Sequence, residues 1–518
     1  MKLLLALPLL PLVAVIWLAL SPRRAELSTG WLVALVAAFP LAVAGLLAAQ
    51  EMALPDLLVQ GSAALVLDGG ARASLLLFGG SWFVAGLLMT RAGERGPPVT
   101  VLLITLSGAL TLALARGGPL VYAGMLAVGY GIYAVMASEQ GCSDRRPRGA
   151  LIVLLVVSDL LVFELLLSDT AHPAADVGAH LAVLAAFALL LRAGVPPAHG
   201  WLPPALSAAT RPGAVLLAAV PAGAAWLGGV KLLPEGAPGA AAAGLLLGLL
   251  GAAWATVAGL SQAQGRATLG YAVAASSALL LIALPAGEGA GAQLPWLVLA
   301  LFAACAAVPL LGLQAAGWLR DLAAASLLLV HGLAAGQVAV HAGTALTAGF
   351  DLLPSLAAVM ASVVLTVALR RTAPWAASAG DPTRLVLVPL ALAAIGLGLA
   401  WWASPPGFAA LWTAPVGMTL GLLWHRFAAA HAQGSVAPGD LLLPLQRAAA
   451  RTVSAGRRLA MENLARLRDA GQAFLLGLWD GPAWSRRMQA LDIRLRSWPA
   501  TSLMMLAVAL ATAYLLTR

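Results

Sequence analysis

The chain is written in long apolar runs separated by short polar connections. Lys2–Leu20, Trp31–Ala49, Val99–Ala115 and Leu151–Leu167 are four of them. A helix rises about 1.5 Å per residue, so about 20 apolar residues cross the hydrocarbon core of a bilayer. By that rule about sixteen stretches qualify. Lipid offers no hydrogen bonds to bare backbone, which leaves helices or a closed barrel as spanning structures. The runs are continuous and lack the period-two alternation of barrel strands. The pattern predicts an all-α polytopic membrane protein with about 15 transmembrane helices, some of them broken by proline.

The polar connections alternate in charge. Arg23/Arg24, Arg91/Arg95, Arg145/Arg146/Arg148, Arg211, Arg266, Arg320 and Arg370/Arg371 follow successive odd-numbered spans. Acidic residues mark the even connections: Glu51, Asp56 and Asp68, then Asp169 and Asp176, then Glu235, Glu288 and Asp351. The positive-inside rule then makes the odd loops cytoplasmic and puts the N-terminus outside. Past Trp424 the pattern changes, and Asp440 to Trp498 holds ten arginines and five acids. Leu464, Leu467, Gly471, Phe474, Leu475 and Leu478 recur there at helical spacing, as in an amphipathic helix lying on a membrane or partner surface. A solvated linker with an incidental apolar stripe is the plainer alternative. The expected division is a bundle over 1–430, a cytoplasmic lateral helix over 438–498 and a terminal transmembrane anchor over 499–518.

Composition agrees with the pattern. Hydrophobic residues make up 61% and charged ones 10%, with a mean hydropathy of +0.92; a soluble domain carries about 25% charged residues. The net charge of +9 suits acidic lipid headgroups or an acidic partner, and nucleic acid is not needed to explain it. Cys142 and Cys305 have no metal or redox spacing. Leu20-Ser-Pro-Arg-Arg lacks a small-residue cleavage site, so the first run is read as an uncleaved span. There is no glycine-rich nucleotide loop, nucleophile elbow or metal-ligand cluster. The chain is therefore expected to hold no cofactor or metal and not to be an enzyme by itself. Tryptophans near predicted ends, such as Trp31, Trp201, Trp401, Trp402 and Trp498, are explained by interfacial anchoring.

Two local patterns carry a family resemblance. Arg192-Ala-Gly-Val-Pro-Pro-Ala-His-Gly-Trp-Leu-Pro-Pro-Ala, ending at Ala205 and followed by Ser207-Ala-Ala-Thr210, is similar to the signature of antiporter-like membrane subunits. Leu67-Asp-Gly-Gly-Ala-Arg-Ala-Ser74 resembles the Asp-Gly-Leu-Ser segment of the same superfamily. Ser158-Asp159 and Arg266…Leu269-Gly-Tyr271 are weaker echoes, and the likeness covers roughly residues 60–280. The superfamily includes the proton-pumping subunits of complex I, multisubunit sodium/proton antiporters, membrane hydrogenases and the B subunit of the two-part inorganic carbon transporter. Chain length and a short lateral helix make the carbon-transporter branch the most similar. That resemblance implies a bacterial inner-membrane subunit coupling bicarbonate or carbon dioxide uptake to a proton or sodium gradient. Its partner would be a large, cytoplasmic-facing subunit, with any zinc chemistry in that other chain. The alternative is a distal proton-translocating subunit of complex I or a hydrogenase, with redox and membrane partners; a second alternative is a non-conducting paralogue.

The resemblance also implies a proton relay, and here the sequence departs from it. Gly124 or a neighbour stands where the family has a glutamate, and Arg192 where it has a lysine. Only Lys2 and Lys231 are lysines, so 28 of the 30 basic residues are arginine. Guanidinium stays protonated and cannot shuttle a proton. The candidates left in the spans are Asp159, Glu164, Arg192, His199 and His331. Asp159 or Glu164 can pair with Arg192 across the bundle, either as part of an ion pathway or as a static bridge that fixes helix packing. His199 follows Pro196-Pro197 and can either gate protons or cap freed carbonyls. His331 is a mid-span proton-carrier candidate. Lys231, near a span end, is read as snorkelling to the interface.

Overall fold

The computed structural model describes residues 2–20, 29–54, 63–90, 96–139, 145–171, 178–232, 240–284, 293–311, 317–345, 352–371 and 408–428. The chain divides into two compact units, Met1–Leu442 and Leu443–Arg518. All described residues belong to the first. The expected lateral helix and terminal anchor lie outside the described residues.

The protein is an all-α polytopic membrane protein. Its helices are α1 (Lys2–Leu20), α2 (Thr29–Leu46), α3 (Gly69–Met89), α4 (Val99–Leu114), α5 (Gly118–Ser138), α6 (Arg145–Ala171) and α7 (Gly178–Ala193). A 3-10 turn (Ala198–Trp201) leads to α8 (Leu202–Ala208) and α9 (Arg211–Leu232). Then come α10 (Ala240–Ser261), α11 (Gly265–Ala283), α12 (Leu294–Leu311), α13 (Gly317–Ala345), α14 (Leu352–Arg371) and α15 (Phe408–Ala428). Among the described residues, eleven helices are long and apolar enough to cross a membrane. Helices α9 and α11 are enclosed almost from end to end, while α1 turns Leu9, Val13, Ile16 and Trp17 outward. Lipid tails are as apolar as the interior, so an outward leucine costs nothing here.

The apolar pattern did not predict the strands β1 (Gln50–Ala53), β2 (Ala64–Leu67) and β3 (Ala115–Arg116). They form one antiparallel sheet in the order β1-β2-β3, pairing Gln50 with Leu67 and Ala64 with Arg116. Two connections, α2–α3 and α4–α5, thereby satisfy each other's backbone groups. The Asp-Gly-Gly pattern builds the step from β2 to α3: Asp68 is the N-cap, accepting from the Ala71 amide at 2.7 Å.

Basic side chains stop several helices. Lys231 Nζ donates to the carbonyls of Leu112, Ala113 and Ala115 at 2.9, 2.7 and 2.8 Å, capping the C-terminus of α4 from the last turn of α9. Arg371 does the same for α10 through Leu260 O and Gln262 O. Arg72 Nη2 reaches Leu47 O, just past α2, at 2.7 Å. The last carbonyls of a helix lack intrahelical partners and carry negative partial charge, so a cation satisfies both needs. Snorkelling alone therefore understates Lys231, whose three donors fasten a neighbouring helix.

Candidate functional site

Helix α7 ends at a glycine before the prolines are reached. Gly194 takes a left-handed φ of +66°, and the Val195 amide returns to Leu190 O at 3.2 Å, which is a Schellman stop. The consecutive prolines then keep the chain from resuming a helix until the 3-10 turn. Arg192 is thereby left in the last turn of α7, its side chain directed into the bundle.

The guanidinium of Arg192 is spread over three neighbours. Nε donates to Ser158 Oγ at 2.8 Å, Nη1 donates to Met125 O at 2.9 Å, and Nη2 forms an ion pair with Asp159 Oδ1. Ser158 Oγ in turn donates to Ala188 O at 3.0 Å. The second carboxylate oxygen, Oδ2 of Asp159, accepts from the Tyr130 hydroxyl at 2.9 Å. Asp159 and Arg192 are only 7% and 6% exposed, so the pair is essentially dry. Gly129 makes room for it, because a Cβ there would lie 3.0 Å from Arg192 Nη1 and 2.9 Å from Leu155 Cδ2. A cavity of about 20 Å³ beside the guanidinium, lined also by Met125, Trp201 and Pro221, is wide enough for about one water.

The other sequence candidates sit elsewhere. Glu164 lies on the exposed face of α6, away from the buried pair. His199 is fully buried, with its ring 5.4 Å from that of Tyr271. His331, also fully buried, meets Ser276 Oγ through Nε2 at 3.0 Å, while its Nδ1 has no hydrogen-bond partner among the described residues. Cys305 lies against the same serine. The structure thus brings together Asp159 and Arg192, and sets both histidines against α11, at Tyr271 and Ser276. Among the described residues no group of three His, Cys, Asp or Glu side chains could hold a metal ion.

Three participants were not singled out from sequence. Tyr130 and the Met125 carbonyl complete the Arg192–Asp159 cluster, and α5 supplies both. The third is Glu139, buried just past α5, which accepts from the Thr210 amide at 3.0 Å and the Thr210 hydroxyl at 2.7 Å. It fastens the end of α5 to the start of α9. Burial pushes its carboxyl above the usual range, against the two Thr210 hydrogen bonds, which favour the ionised form.

The arrangement is that of a polytopic helical membrane protein with a broken helix and a buried ion pair at the break. Solved structures with the same fold are chains of complexes. A chain of the Mrp complex from Dietzia sp. DQ12-45-1b matches with a TM-score of 0.69 at 17% identity, over 98% of this chain and 63% of that one. A chain of respiratory complex I from Thermus thermophilus gives 0.60 at 19% identity, over 79% of this chain and 99% of that one. A chain of the membrane-bound sulfane sulfur reductase, an archaeal respiratory membrane complex, gives 0.60 at 17%, covering 82% and 99%. This chain spans just under two thirds of the length of the Mrp chain it matches. No family model and no curated protein matches the sequence. At these identities the likeness establishes the fold.

Proposed function

We propose that the chain is a membrane subunit of an ion-gradient-coupled complex, and that it serves inorganic carbon uptake. In this reading it couples the capture of bicarbonate or carbon dioxide by a partner to a proton or sodium gradient across a bacterial inner membrane. The observation that carries it is the buried Asp159–Arg192 pair at the broken end of α7, within a fold found in multi-subunit membrane complexes. Ionised groups at membrane depth are costly and mark ion pathways or coupling elements. Arg192 stays protonated, so it pairs with the Asp159 carboxylate and does not itself relay protons. With Gly124 or a neighbour where the resemblance implies a glutamate, and Arg192 where it implies a lysine, a respiratory-type relay is not expected in this half of the bundle. That difference favours carbon uptake over the complex I or hydrogenase alternative. The capture chemistry, including any zinc, then belongs to a large partner chain, and this chain is a transport subunit.

One observation favours a second reading. Arg192 is held by Ser158, Met125 O and Asp159 together, a set that also suits a static fastening in a non-conducting scaffold. Mild-detergent purification of the tagged chain, with mass spectrometry of what stays bound, tests the first reading. A single large partner rich in Cys, His and Asp supports it, and quinone-reducing or iron–sulfur subunits overturn it. The double variant Asp159→Asn with Arg192→Gln, which leaves no unpaired charge buried, then separates conductor from scaffold: in folded, assembled protein gradient-dependent uptake falls in a conductor and is unchanged in a scaffold.

A further inference from the structure

Away from the α7 break, a cavity of about 420 Å³ opens between the start of α13 and the ends of α14 and α15. Its mouth is polar, with Arg320 and Asp321 from α13, Arg370 from α14 and His425 from α15. Its walls are apolar, formed by Leu328, Leu369, Met418 and Leu422. Arg370 and Asp321 approach to only 3.5 Å, and both are well exposed, so this contact consumes little of the arginine's charge. His425 lies in the field of both Arg370 and Arg371, and its buried Nδ1 meets no hydrogen-bond partner among the described residues. Two arginines and a histidine thus face one carboxylate across a gap lined below by hydrocarbon.

We infer that this cavity is a site for the phosphate headgroup of an anionic phospholipid. Three further observations select a lipid over a soluble anion. The cavity lies at helix ends, the depth where headgroups sit, and Trp318 and Trp424, close in sequence to its lining residues Arg320 and His425, are both exposed, as interfacial tryptophans are. The outer face of α15 beside the mouth carries the exposed apolar side chains Leu420, Leu423 and Phe427, which suit acyl chains. The arginines belong to connections that the positive-inside rule makes cytoplasmic, the leaflet face that attracts juxtamembrane basic groups. Basic pockets between transmembrane helices are suited to such headgroups, and a volume of several hundred Å³ fits a phosphodiester with its glycerol.

The test uses the full-length chain, with whatever subunits copurify, in nanodiscs of phosphatidylcholine alone or with phosphatidylglycerol added. Native mass spectrometry counts retained phosphatidylglycerol for wild type, Arg370→Gln, Arg320→Gln and Asp321→Asn. Each arginine loss is expected to weaken retention about fivefold, following the contribution of one basic residue near an anionic surface. Asp321→Asn removes the opposing carboxylate and is expected to strengthen retention. Because these changes have opposite sign at neighbouring exposed positions, misfolding cannot imitate the pattern. Millimolar inorganic phosphate or glycerol phosphate is expected to leave retention unchanged. Retention that is equal in all four proteins overturns the site, and displacement by free phosphate reassigns it to a soluble anion and overturns the lipid.

Discussion

Gly124 on α5 lies so close to Leu112 on α4 that a Cβ added to it would stand 2.8 Å from the Leu112 Cα and Cβ. The same pair of helices meets at Gly131, opposite the Thr105 side chain, and at Gly108, opposite Ala127. Small residues let two backbones approach and gain dispersion contacts that lipid cannot supply. Gly124 is thus required by packing. A carboxylate side chain has no room there.

Gly124→Ala is accordingly expected to destabilise the bundle by about 1–3 kcal/mol, the usual cost of overpacking. Gly124→Glu adds an unpaired buried acid and is expected to lower the yield of folded protein without creating transport activity. Thermal unfolding in detergent, followed by tryptophan fluorescence, measures the first change. A glutamate variant as stable as wild type would show that α4 and α5 do not pack this closely.

Removing one member of the Asp159–Arg192 pair leaves the other charge buried. Asp159→Asn or Arg192→Gln alone is expected to cost about 3–5 kcal/mol, whereas the double variant recovers much of that loss. Tyr130→Phe removes one hydrogen bond to the carboxylate and is expected to cost about 1.5–3 kcal/mol. A double-mutant cycle on thermal midpoints checks both expectations. Additive single losses would mean that the two side chains do not interact.

Lys231 holds α4 through three hydrogen bonds. Lys231→Met keeps most of the aliphatic stem and discards the cation, so the Leu112, Ala113 and Ala115 carbonyls lose one donor each. A destabilisation of about 1–3 kcal/mol is expected, with faster amide exchange confined to the last turn of α4. Hydrogen–deuterium exchange resolves this. An unchanged α4 would return Lys231 to a purely interfacial role.

Glu139 makes stability depend on pH. Its pKa is higher in the folded chain than the ordinary value of 4.5, so the folded state holds the proton more tightly than the unfolded state does. Its contribution is therefore full below about 4.5 and fades as the pH rises through the raised value. Glu139→Gln is expected to flatten the fall in melting temperature from pH 4.5 upward, while Thr210→Val, which removes a donor to the ionised form, steepens it. Identical pH profiles for wild type and Glu139→Gln would remove Glu139 as the cause.

The membrane character, the helical spans and the break after Arg192 were legible because they follow from runs of one residue class and from proline and glycine chemistry. The buried pair was half legible. Any acid in a span had to find a partner, yet Asp159 and Glu164, five residues apart on α6, were equal candidates until α7 was placed beside the first of them. Tyr130, the Met125 carbonyl and the Glu139–Thr210 contact left no local signal, since each joins residues tens of positions apart. The small sheet was likewise hidden in connections that no periodicity marks.

By itself, the sequence determined that this chain crosses a membrane many times as helices, because bare backbone has no partner in lipid and only long apolar runs can remain there. It also determined that arginine, not lysine, supplies almost all its positive charge. Tertiary structure alone decided which faces are inside. In water a helix announces its buried face by contrast, but here both neighbours, lipid and protein, are apolar, and leucine or valine serves either equally well. The inner faces of α5, α6 and α7 became visible only where glycines allowed close approach and where Asp159, Tyr130 and Arg192 found one another.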